Sequence, residues 1–136
     1  MKPMCKSTLA SLLLAGILSA CSLIPLSEEG EVIPQAEPVL NWLKAAKNSD
    51  PDLLKNVFSE RMIKTFKTNE KNWPELLNIY QKVFKDKFGE YDLNDFSFTF
   101  EGGSKKGNVI IFKGAGSSGL PVYVIKEKKQ WKVNER

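Results

Sequence analysis

The sequence predicts an α+β domain, with three or so N-terminal helices packed on a curved antiparallel sheet of about four strands. Two observations predict it. Between residues 37 and 88 apolar side chains recur three and four apart, the spacing of a helix face, whereas after Gly89 the period drops to two, as in Phe96-Ser-Phe-Thr-Phe100. Helices first and a meander of strands last is the order of an α+β chain, not of alternating crossover units.

Each element has its own signals. Glu37-Pro38 opens a first helix, since proline is tolerated in a first turn, and Val39, Leu43 and Ala46 share a face beside Trp42 until Asn48-Ser49. Asp50 is a natural N-cap with Pro51 at the first helical position, and Leu53, Leu54, Val57 and Phe58 supply the stripe of a second, short helix. Ser59 caps a third piece carrying Met62, Ile63 and Phe66, and the polar run Thr68 to Asn72 follows. A longer helix begins around Trp73-Pro74, with Leu76, Leu77, Tyr80, Val83, Phe84 and Phe88 facing inward and Gly89 as its stop. Strands are expected over Phe96 to Phe100, Asn108 to Lys113, Leu120 to Lys126 and Trp131 to Val133, joined by turns rich in Gly, Ser and Lys.

The chain before this domain reads differently. Lys2 and Lys6 precede an apolar stretch from Leu9 to Ala20. Those dozen residues would cover only about 18 Å as a helix, short of the ~30 Å hydrocarbon core, so residues 1–20 read as a secretion signal and not an anchor. The signal ends in Leu18-Ser19-Ala20-Cys21, which resembles the lipobox of bacterial lipoproteins. That resemblance implies a diacylglyceryl group on Cys21, cleavage before it, acylation of the new amino group, and attachment to a membrane. Ser22, where aspartate would favour retention at the inner membrane, points to the periplasmic face of the outer membrane. Residues 21–36, with Pro25, Gly30 and Pro34 and no sustained periodicity, read as a lipidated N-terminus and flexible tether. Residues 37–136 are then the single folded domain.

Composition narrows the chemistry. The chain has no histidine, so a Ser-His-Asp triad, a Cys-His pair and a His-based zinc site are all excluded. Its two cysteines, Cys5 and Cys21, fall in the leader and at the lipidation position, so the domain stands without a disulfide. Losing Lys2 and Lys6 with the leader leaves 18 basic against 16 acidic side chains, a net charge of +2 that gives no general case for an acidic partner.

The order of helices then strands, closing in Leu120-Pro-Val-Tyr-Val-Ile-Lys-Glu-Lys-Lys-Gln-Trp-Lys-Val-Asn-Glu-Arg136, resembles the small cone-shaped domains of the nuclear transport factor two-like superfamily, especially secreted lipoprotein members that end in an edge hairpin with a tryptophan on its last strand. The resemblance spans about residues 37–136. It implies a concave pocket between sheet and helices in a fold that hosts cyclases and isomerases as well as non-catalytic binding modules.

Candidate sites follow. Gly114-Ala-Gly-Ser-Ser-Gly119 fits G-x-G-x-x-G after a strand, but another strand follows where a dinucleotide site needs a helix, so it reads as a loop. Glu90, Asp92 and Asp95 do not have calcium-loop spacing and read as a solvated turn, and no metal or cofactor is implied. Lys126, Lys128, Lys129, Lys132 and Arg136 of the terminal hairpin, joined by Lys105 and Lys106, suit either anionic headgroups or edge protection, and nucleic acid is not expected as a partner of an exported, tethered protein. The aromatics give the candidate pocket, Trp42, Tyr80, Phe84, Phe98, Tyr123 and Trp131, beside Cys21 as lipidation site; no catalytic residue is singled out. The expected function is a membrane-anchored, non-catalytic module for an envelope protein or an apolar small ligand. An immunity-type lipoprotein against a periplasmic toxin and a cyclase- or isomerase-like enzyme are the alternatives.

Overall fold

A computed structural model describes residues 32–114 and 118–136. The leader, Cys21 and most of the tether lie outside the described residues, as do residues 115–117 of the glycine loop. The expected α+β order is present. A 3-10 turn, Pro34–Ala36, leads into α1 (Glu37–Asn48), α2 (Pro51–Leu54), α3 (Glu60–Thr68) and α4 (Trp73–Phe88). A 3-10 turn at Leu93–Asp95 precedes β1 (Phe96–Gly102), β2 (Lys106–Lys113), β3 (Leu120–Glu127) and β4 (Gln130–Val133). The strands form one antiparallel sheet in the order β1-β2-β3-β4. Among the described residues, no helix is long and apolar enough to cross a membrane.

Caps set the helix limits. Asp50 Oδ1 accepts from Leu53 N at 3.1 Å, Ser59 Oγ from Met62 N at 3.3 Å and Asn72 Oδ1 from Glu75 N at 2.8 Å, each satisfying an amide that has no partner within its helix. Gly89, at φ 68°, ends α4 where a side chain would be strained. Two expectations fail at residues 57, 58 and 83. The helix α2 is a single turn ending at Leu54; Val57, in the turn that follows, and Phe58, bridged to Val133, are buried beside β4 instead of on its stripe. Val83 is 39% exposed, because the buried face of α4 is the narrower row Leu76, Leu77, Phe84.

The core lies between the helices and one face of the sheet. Alternation sends Val109, Ile111, Val122, Val124 and Val133 inward to meet Val39, Leu43, Leu54 and Phe58. The sheet is curled enough that Phe100 of β1 touches Trp131 of β4, with ring centroids 5.5 Å apart, although two strands lie between them. Two glycines make that approach fit: a Cβ on Gly107 would stand 2.7 Å from Phe100 Cζ and one on Gly102 2.9 Å. Pro34–Ala36 lies against both β1 and β4, and Ala36 is fully buried, so the last residues of the stretch read as tether pack onto the core.

Residues 57–59 cover the free edge of β4. Val133 N donates to Val57 O and Ser59 N to Val133 O, both at 2.8 Å, in one parallel bridge. Ser59 is fully buried and also donates its hydroxyl to Asn134 Oδ1 at 2.6 Å, so one side chain caps α3 and fastens the last strand. Ser59→Ala removes both, and a loss of about 1–2 kcal/mol is expected, read as a lower urea midpoint at unchanged m-value.

Candidate functional site

Three helices and the segment after α2 bring the aromatic rings together. Trp42 of α1 stands edge-on to Phe58, Tyr80 and Phe84, at centroid distances of 5.5, 4.9 and 5.1 Å and steep angles of 79°, 80° and 77°. Phe58 continues the cluster to Phe66 and Trp73, and Phe84 to Phe88 and thence to Phe96 at the start of β1. The quadrupoles of such rings favour this edge-to-face arrangement. Trp42 Nε1 is buried without a hydrogen-bond partner. An unpaired buried donor costs about 1–3 kcal/mol, whereas burying 150–250 Å² of indole at ~25 cal/mol/Å² gains about 4–6 kcal/mol, so the ring is kept inside.

Of the candidate pocket residues, the structure joins Trp42, Tyr80 and Phe84 in this cluster. Phe98 lies on the inner face of β1, half-buried against the core. Trp131 is at the far end of the curl, against Phe100, and borders a groove of about 440 Å³ with Glu37, Pro38, Asn41 and Lys132. Tyr123 does not face the interior. Its neighbours Val122 and Val124 are buried inward, so strand alternation places Tyr123 on the opposite face of the sheet. A second groove, about 360 Å³, runs beside the start of α3 and is bordered by Lys55, Phe58, Ile63, Glu127 and Lys128. Neither groove includes Trp42, Tyr80, Phe84 or Phe98.

Two participants were missed from sequence. Phe58 is the hub of the rings, although its spacing in the sequence puts it on a helix stripe. Glu135 returns to the inner side two residues after buried Val133, where its carboxylate accepts the backbone N–H of Tyr123. Period-two counting carried past Val133 would have found it. Tyr80 has its phenol pushed up to about 12, first by burial and then by the negative charge of Glu135. At neutral pH Tyr80 is therefore an uncharged hydrogen-bond donor beside a carboxylate. Because the folded value lies above the ordinary one of 10.0, the contribution is intact below pH 10 and lost as pH rises toward 12. Tyrosinate absorbance is expected to show a last step near pH 12 that Tyr80→Phe removes and Glu135→Gln moves to lower pH.

Several other polar groups hold the framework. Glu127 caps the start of α3 through Glu60 N at 3.2 Å, and Gln81 caps the end of α1 through Ala46 O at 3.0 Å. Asp95 Oδ2 accepts from Asp92 N at 2.9 Å within the turn before β1, and Asp92 pairs with Lys47 at 3.9 Å. Comparison of the chain with protein-family models, with curated proteins and with solved structures gives no match.

Proposed function

We propose that this protein is a lipoprotein anchored by acyl chains on Cys21, and that its α+β domain is a cone of the nuclear transport factor two-like kind serving as a non-catalytic binding module at the envelope. The observation that carries the module reading is the ring packing: Trp42, Phe58 and Phe84 are buried against one another, so the aromatic side chains fill the space between them themselves. Glu135, the carboxylate next to Tyr80, is engaged by a backbone amide. Anchorage is supported by Leu18-Ser19-Ala20-Cys21 after a short apolar stretch, and the periplasmic side of the outer membrane by Ser22.

A partner then meets the outer surface and the grooves. Intact mass measurement of detergent-extracted protein is expected to find a chain starting at Cys21 with its thiol and amino group acylated; a free thiol, or a retained leader, overturns the anchorage. Affinity capture on the same material is expected to recover an envelope protein at fixed stoichiometry. Turnover of a small molecule that is lost in both Tyr80→Phe and Glu135→Gln would overturn the non-catalytic reading in favour of an enzyme.

A further inference from the structure

The turns β1–β2 and β3–β4 lie at one end of the sheet, and Lys126 N donates to Lys105 O at 2.7 Å between them. This end carries Lys105, Lys106, Lys126, Lys128 and Lys129, all exposed, and none of the ion pairs among the described residues uses any of the five. The nearby Glu127 is occupied by the amide of Glu60. Lys128 and Lys129 sit at φ 50° and 70°, a left-handed turn that Asn-Gly would adopt with far less strain. Two cations thus occupy the tip of a hairpin whose backbone disfavours them.

The chain enters the domain at the same end. The first turn of α1, through Glu37 and Pro38, shares a groove with Gln130, Trp131 and Lys132, next to the lysine-bearing hairpin. The acidic side chains Glu90, Asp92 and Asp95 precede β1 at the opposite end, some 20 Å away along its seven residues, while Glu101, exposed beside the β1–β2 turn, offsets one of the five positive charges.

We propose that the lysine end is a docking face for anionic phospholipid headgroups, and that it orients the domain with the tips of its two hairpins on the membrane. The placement rests on the anchorage at Cys21 proposed above. Ten residues, 22–31, lie between Cys21 and Val32; a linker of that length would span roughly 17 Å, which would let the lysines sample the region within a Debye length of the surface. The charge complementarity is local, because the mature chain as a whole is close to neutral.

The test uses the chain from residue 21 with Cys21→Ser, which removes the acyl anchor, and vesicles of phosphatidylcholine with or without phosphatidylglycerol. Co-sedimentation is expected only with phosphatidylglycerol and is lost at high salt. Each of Lys105→Gln, Lys128→Gln and Lys129→Gln is expected to lower the partition coefficient about fivefold, whereas Lys82→Gln on α4 leaves it unchanged. Equal binding to both vesicles, or no effect of the three substitutions, overturns the proposal. So does an oligonucleotide binding the chain in preference to the charged vesicles. An unacylated Cys21 in native material would sink the anchorage alone, since vesicle binding here is measured without it.

Discussion

Replacing Trp42 with alanine is expected to lower the free energy of unfolding by about 3–5 kcal/mol. The indole contacts Phe58, Tyr80 and Phe84 and bridges α1, the extended segment before α3, and α4, so its removal leaves a cavity that three separately anchored elements cannot all collapse into. Small domains have about 5–15 kcal/mol in total, and this one has no disulfide to limit its unfolded state. Chemical denaturation followed by circular dichroism measures the loss. Trp42→Phe separates two contributions: it keeps an aromatic ring and removes the unpaired Nε1 donor, so its cost is expected to fall well below that of alanine. Equal losses for the two variants would mean that ring packing is not what Trp42 supplies.

Cys21→Ser is expected to abolish incorporation of labelled fatty acid completely. A serine hydroxyl is a far poorer nucleophile than a thiolate, and no other cysteine is left near the end of the leader. The effect on partitioning is correspondingly large. Each buried methylene contributes about 0.8 kcal/mol, and two or more chains turn marginal binding into stable anchoring. Fatty-acid labelling of cells expressing each form, followed by fractionation, reads both outcomes. Label retained by the serine variant would place the acyl group elsewhere.

Local chemistry made most of the fold legible. Asp50, Ser59 and Gly89 mark helix limits in the sequence and do so in the structure, because capping depends on residues within one turn. The alternation Phe96-Phe98-Phe100 gives β1 for the same reason. The failures are tertiary. Val57 and Phe58 have a helix-compatible spacing, but the hydrogen bonds offered by Val133, some 75 residues on, hold Val57 in a turn and Phe58 in a bridge beside β4. Val83 reads as core by period, yet α4 packs on α1 and α2 through the row Leu76, Leu77 and Phe84, and Val83 falls outside it. In the candidate site, the rings were visible as residues but their grouping was not. Tyr123 is the clearest case, since its face is set by which neighbours β3 buries, and Glu135 lay beyond the last obvious strand. The lysine end needed the turns to be folded beside each other before five scattered residues became one surface.

The clasp between residues 57–61 and 133–135 also bears on how the molecule comes into being. Its bonds span 73 to 75 positions along the chain. A nascent polypeptide leaving the ribosome therefore has its helices early but cannot seal the exposed margin of its sheet until position 135 has emerged. Until then that margin is open to self-association, a hazard avoided only if the chain is kept from folding until its last residues are free.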